Sequence, residues 1–239
     1  MSDALARLSR LDGVASALAA TRDGIDALLR DRGLRRTAPA LTTESLLRGA
    51  HASAVLDGSG STSDEVRSMG GDGVAQAALR VSSELLGLTP TLATAPLQVL
   101  ARLHALAAGG QVPDAELGRP RSPQAAGRLQ DLGRLVTRPT AAPALLVAAV
   151  VHADLVTQAA FVSHNGIVAR AAERLVLVAR GVDPASLVVP EAGHLALRRE
   201  YESNLRGYQE GGPAGVHAWL LYAAEAYARG AEASPVADR

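Results

Sequence analysis

Apolar residues return at three- and four-residue steps through most of the chain, and that period constrains the fold more than any other feature. Leu5, Leu8, Leu11, Val14, Leu18, Ile25, Leu28 and Leu29 open the pattern, with Arg residues on the other face. This is the signature of an amphipathic helix, whose buried stripe repeats every 3.6 residues. No convincing alternation of apolar and polar residues occurs, apart from a possible short strand pair within a polar stretch. The sequence therefore predicts an all-α protein.

The first run reads as one long helix or as two short ones split near Asp23 and Gly24. Gly33 to Pro39 breaks it, and a second helix starts near Thr42 or Thr43 and runs to about Val55. A turn follows at Gly58 to Thr62. Thr62 and Glu65 have the spacing of a capping box, in which each side chain satisfies an orphan amide at a helix start. Met69 to Gly73 interrupts, and helices are expected near 74 to 87, 95 to 108, 141 to 158, 166 to 180, 191 to 209 and 214 to 230. Pro190 and Pro213 sit where a first turn tolerates proline. Residues 109 to 139 are rich in Gly, Pro and Arg without a sustained period. A loop of that length in a compact domain is usually functional or disordered. Residues 231 to 239 read as a flexible, frayed tail.

Composition limits the function classes. The 239 residues suffice for one large domain or two small ones, and 48% apolar content supports a buried core. All 24 basic residues are Arg and equal the acidic count, so the formal net charge is zero. A neutral chain offers no general attraction to nucleic acid or anionic membrane, and neither is expected as a partner. The chain has no Cys, which removes disulfides, zinc thiolate sites and thiol catalysis together. The longest apolar run, Ala141 to Ala153, is interrupted by His152 and falls short of the roughly 20 residues of a membrane span. With no signal-peptide layout at the N-terminus, a cytoplasmic location is expected.

Three motifs carry the functional reading. Residues 159 to 170 run Ala-Ala-Phe-Val-Ser-His-Asn-Gly-Ile-Val-Ala-Arg, residues 53 to 58 run Ser-Ala-Val-Leu-Asp-Gly, and Leu103-His104 precedes Gly118-Arg119-Pro120-Arg121. Their order, followed by a helix, the Pro190 start and a helix with Tyr201 and Tyr208, resembles the Fic (Fido) family over about residues 40 to 230. The family loop follows His-Pro-Phe-x-Asp/Glu-Gly-Asn-Gly-Arg-x-x-Arg, and its inhibitory helix follows Ser/Thr-x-x-x-Glu-Gly/Asn. The resemblance implies a Fido-like helical domain at 39 to 230, with residues 1 to 38 as a helical extension and 109 to 139 as the substrate-docking flap.

Phe161, Asn165, Gly166 and Arg170 keep the loop pattern. The departures fall on the chemistry. Ala159 stands in place of the general-base His, Ala160 in place of Pro, Ser163 in place of the magnesium-binding acid, His164 in place of Gly, and Ile167 in place of the first Arg. Asp57 takes the place of the inhibitory Glu, which in the family pairs with the second Arg, here Arg170. That pairing predicts Asp57 and Arg170 within salt-bridge reach.

Each position also has a plainer reading. Asn165-Gly166 at a helix start exposes amides at the positive end of the helix dipole, which binds phosphate without a charged side chain; the alternative is a simple Asn cap. Arg170, one turn on, forks onto a phosphate or pairs with a carboxylate, or is a surface Arg. Asp57-Gly58 is an inhibitory acid or a turn that ends a helix. Ser53 reads as structural, bonding local backbone. His164 is the one titratable group inside the motif and the sole candidate substitute base, though five residues from Ala159. His104 and His152 read as satisfied core histidines, and Phe161 as a loop anchor. His51, His194 and His217 show no ligand spacing, so no metal site is expected.

The resemblance implies transfer of AMP from ATP to a protein hydroxyl as the family activity. Losing the base, the metal ligand and one phosphate Arg points to a degenerate member that retains an anion or nucleotide-phosphate pocket, for ATP or another nucleotide with doubtful magnesium dependence. It would act by binding, with a protein partner engaged through 109 to 139. Two alternatives stand: a residual or altered adenylyltransferase, and a helical scaffold without a ligand.

Overall fold

The computed structural model describes residues 3–30 and 39–238. They form α-helices, short 3-10 turns and connecting loops, with no strand among the described residues. The helices are α1 (Ala4–Leu8), α2 (Val14–Leu29), α3 (Pro39–Leu56), α4 (Ser63–Arg67), α5 (Gly73–Glu84), α6 (Thr89–Leu92), α7 (Pro96–Ala108), α8 (Pro123–Thr137), α9 (Ala144–Gln158), α10 (Asn165–Ala179), α11 (Pro190–Ala196), α12 (Arg198–Glu210) and α13 (Pro213–Glu232). No helix is long and apolar enough to cross a membrane among the described residues.

The centre of the fold is the α9–α10 pair. α9 is apolar along almost its whole length, with Leu145 to Val151 buried, so it must be covered on every side. α10 is also buried from Ile167 to Leu177, and it carries three charged residues, Arg170, Glu173 and Arg174, into the interior. α3 and α5 cover one flank, while α11, α12 and α13 cover another. Trp219 on α13 is fully buried and donates its ring N–H to the carbonyl of Ala149 at 2.9 Å.

Four local expectations are corrected. The first break falls at Ser9–Gly13, where Gly13 takes φ 71° before α2, and Gly24 stays inside α2. Residues 123–137, expected as loop, form α8. Ser122 caps it by accepting from Ala125 N at 3.1 Å, and Ala125, Leu129, Leu132 and Gly133 turn inward. Much of its buried face is small, which hides the period. The helix expected over 191 to 209 is two, broken at Leu197. The C-terminal segment is tied down as well: Ser234 and Val236 are buried, and Arg48 pairs with Asp238. Val236 joins Leu41 and Leu187 in a small apolar cluster, and that contact fixes a segment expected to fray.

The N-terminal residues expected as an extension share the main core, because Val14, Leu18 and Ile25 pack into it. Of the break placed at Gly33 to Pro39, residues 33–38 lie outside the described residues, and Pro39 already opens α3, three residues before the expected start near Thr42. At Thr62 the expected capping box is present, with Thr62 Oγ accepting from Glu65 N and Glu65 Oε2 accepting from Thr62 N.

Candidate functional site

The loop from Ala159 to His164 joins the end of α9 to the start of α10, and both of its ends are left-handed. Ala159 has φ 42° and His164 has φ 54°. Non-glycine residues there cost roughly 1–2 kcal/mol each, so surrounding contacts must hold them. Phe161 supplies the first: it is buried and stacks on His104 with ring centroids 4.5 Å apart. Asn165 supplies the second. Its side chain accepts from Phe161 N and donates to Phe161 O, both at 2.9 Å, closing the loop onto the first residue of α10. Asn165 is thus spent on loop shape. The segment leading to α8 supplies a third, since Arg121 N donates to Ala160 O at 2.9 Å and Gly118 N donates to His104 Nδ1 at 2.9 Å. The side chains of Arg119 and Arg121 stay exposed beside the loop.

At the mouth of α10 stands the Asp57–Arg170 ion pair that the sequence predicted. The Arg170 side chain is 2% exposed and that of Asp57 22%, so the cation is inside and the carboxylate reaches water. Arg170 also donates from Nε to Ser53 Oγ at 2.9 Å, from Nη2 to Ser53 O at 3.0 Å and from Nη1 to Tyr201 OH at 3.2 Å. Burial alone would lower the Arg170 pKa, but Asp57 and Tyr201 outweigh it and the guanidinium stays charged. Ser53 was expected to bond local backbone. Its hydroxyl instead accepts from a helix 117 residues away, because α3 and α10 pack face to face.

The carboxylate of Asp57 lies over Gly166. A Cβ built on Gly166 would stand 2.5 Å from Asp57 Oδ1 and 3.1 Å from Arg170 Nη1. The space in front of Gly166 and Arg170 therefore holds an internal carboxylate. Gly58 follows with φ 94°, turning the chain away from α3.

Ala159 ends α9, and Ile167 is 2% exposed, packed against a small cavity beside Ser53 and Val81. Ser163 Oγ and His164 Nδ1 lie 2.8 Å apart. Burial lowers the His164 pKa, with Asp57 raising it and Arg80 lowering it again, so the imidazole is neutral at pH 7. Burial, followed by the nearby His164, brings His104 down to about 4.

Behind Arg170 the structure assembles a group that linear spacing does not reveal. Glu173, fully buried, has Oε2 2.9 Å from His152 Nδ1 and 3.0 Å from His194 Nε2, and its Oε1 accepts from Tyr227 OH at 2.7 Å. The outer ring nitrogens meet tyrosines: His152 Nε2 lies 3.0 Å from Tyr201 OH, and His194 Nδ1 lies 2.8 Å from Tyr222 OH. Through Tyr201 this group touches Arg170.

A helical domain with a loop-and-helix mouth of this form is a Fic-type fold. No protein-family model matches the sequence and no curated protein does. Two solved structures are similar in fold. One is a Fic family protein from Desulfovibrio desulfuricans, 18% identical with TM-score 0.73 over 92% of this chain and 74% of that one. The other is Fic-1 from C. elegans, 16% identical with TM-score 0.71 over 90% of this chain and 69% of that one. The chain has the Fic fold.

Proposed function

We propose that this chain is a Fic-fold binding protein with little or no AMP-transfer activity, whose anion site at the start of α10 is closed from within by Asp57. One observation carries the reading: the carboxylate of Asp57 sits on both Gly166 and Arg170, the two groups that would hold a phosphate. A nucleotide phosphate that displaced Asp57 would inherit the helix dipole and the Arg170 fork. Ser163 offers a neutral hydroxyl where a hard dication prefers carboxylate oxygen, so magnesium adds little to the affinity. Transfer lacks its base at Ala159 and its positive charge at Ile167, and electrostatic stabilisation of the transferring phosphate usually contributes most of the rate enhancement. Restoring that charge is harder than the sequence suggests, because an Arg at the buried position 167 would have to carry its guanidinium out of the core. Exposed Arg119 and Arg121, beside the loop, favour an acidic protein segment as partner for the 109–139 stretch.

The test is calorimetric titration of ATP, with and without magnesium, into wild type and Asp57→Gly, alongside radiolabel transfer. Tighter binding by Asp57→Gly than by wild type, nearly independent of magnesium, is expected, with no label transfer by wild type, Asp57→Gly or Ala159→His. Silence in both titrations would leave the ligand-free scaffold. Label transfer by the unmodified protein, lost on His164→Ala, would make His164 a base and the chain an adenylyltransferase.

A further inference from the structure

We infer that His152, Glu173 and His194 form a buried site for a divalent transition cation, with zinc the best match, clamping α9, α10 and α11 together behind the anion site. The three helices aim Nδ1, a carboxylate oxygen and Nε2 at one point, all within 4.8 Å of one another and all fully buried. Two imidazoles with one carboxylate is a ligand set that zinc takes in tetrahedral geometry.

Three independent observations point to a cation. The first is charge. Arg170 pairs with Asp57 and Arg174 lies 3.5 Å from Glu191, so each buried Arg has its own carboxylate. Glu173 faces only histidines and a tyrosine hydroxyl. A carboxylate buried without a countercharge is costly, and a bound cation supplies one. The second is geometry. His152 Nδ1 lies 2.9 Å from Glu173 Oε2 without the alignment of a hydrogen bond, whereas His194 Nε2 is hydrogen-bonded to the same oxygen at 3.0 Å. A ring nitrogen that is close to a carboxylate oxygen but not directed along it suits a shared ion better than a shared proton. The third is the outer shell. The far atom of every ligand is held by a tyrosine hydroxyl, Tyr201 on His152, Tyr222 on His194 and Tyr227 on Glu173. Metal-binding histidines and carboxylates are oriented in this way by second contacts. Ligand atoms around a tetrahedral zinc stand about 3.3 Å apart, so the two contacts to Glu173 at 2.9 and 3.0 Å have to open by a few tenths of an ångström. Absence of a linear signal hid the set from sequence reasoning, which expected no metal: the ligands come from three separate helices.

The inference does not rest on the anion-site reading, and its test does not use nucleotide. Full-length protein, expressed with zinc in the medium and dialysed against chelator, is assayed for metal by mass spectrometry. A second sample is unfolded, refolded with cobalt(II) and scanned for the visible bands of a tetrahedral cobalt centre. About one zinc per chain, released only on unfolding, and a cobalt spectrum lost in Glu173→Gln support the site. Folded wild type that carries no metal and takes up neither zinc nor cobalt on refolding would overturn it, leaving a proton between the imidazoles and Glu173. Metal retained at the same stoichiometry in both Glu173→Gln and His194→Gln would overturn it too, by placing the ion elsewhere.

Discussion

Replacing Gly166 by alanine should change in sign according to the residue at position 57. The new Cβ would stand 2.5 Å from Asp57 Oδ1 and 3.1 Å from Asp57 Oδ2, where carbon contacts normally begin near about 3.5 Å. Relief requires moving the carboxylate by roughly 1 Å, off a guanidinium whose side chain is only 2% exposed. Over-packing costs about 1–3 kcal/mol, and weakening a hydrogen bond to a buried charge costs about 1.5–3 kcal/mol. Against these, alanine gains about 0.5–1 kcal/mol over glycine inside a helix. The net loss in the native background is therefore about 1.5–5.5 kcal/mol. In Asp57→Gly the carboxylate is gone. Only Arg170 Nη1 remains at 3.1 Å, the far end of a long side chain, so alanine becomes neutral or stabilising by up to about 1 kcal/mol. Urea unfolding of the four proteins closes a double-mutant cycle in which the cost of Asp57→Gly itself cancels. A coupling energy above about 1.5 kcal/mol is expected, and one below about 0.5 kcal/mol would refute the placement of Asp57 over the first turn of α10.

Two further outcomes follow from the same region. The folded-state pKa of His104, about 4, lies below its unfolded value of 6.5, so the unfolded chain binds more protons between those values and stability falls as pH falls through the window. Unfolding free energies at several pH values should show a slope smaller by up to about one proton in His104→Gln, and an unchanged slope would contradict a neutral buried ring. Asp72 accepts from Ser59 Oγ at 2.8 Å and Gly60 N at 3.1 Å while capping α5 at Val74 and Ala75. Asp72→Ala should cost about 1–2 kcal/mol as a lost cap and should speed amide exchange over 58–61; protection there equal to wild type would show that other contacts hold the segment.

Most helices were legible because a helix with one buried face writes its period into the sequence, as in α2, α5 and α7. Reading failed where that period is weak or where a breaker is tolerated. α8 buries Ala125 and Gly133 with only two leucines between them, and its Pro123, Gly127 and Gly133 look like loop chemistry. Gly24 costs only about 1 kcal/mol in α2, while the true break at Gly13 needs a positive φ that nothing in its neighbours announces. The loop motif located Gly166 and Arg170 correctly on one turn of α10. What it did not contain is everything that arrives from elsewhere: Ser53 from α3, Tyr201 from α12, and the His152, Glu173 and His194 group. Those meetings are set by packing between distant helices, and no spacing within one segment encodes them.

The short acid at position 57 has a physical reason in α3. Ser45, Gly49 and Ser53 recur every four residues and so share one face of that helix, and Asp57 continues the spacing just past its last residue. Each meets a charged group. Arg174 donates to Ser45 Oγ at 3.1 Å, a Cβ on Gly49 would stand 3.2 Å from Arg174 Nη1, and Arg170 reaches both Ser53 and Asp57. Small side chains let α3 approach α10 closely enough for two buried arginines to bond its backbone carbonyls at Ser45 and Ser53. At that distance Asp suffices to reach Arg170, and the extra methylene of Glu is unnecessary. The stripe that brings the helices together is thus the same feature that brings Asp57 over Gly166, so the pairing of Asp57 with Arg170 follows from how α3 packs.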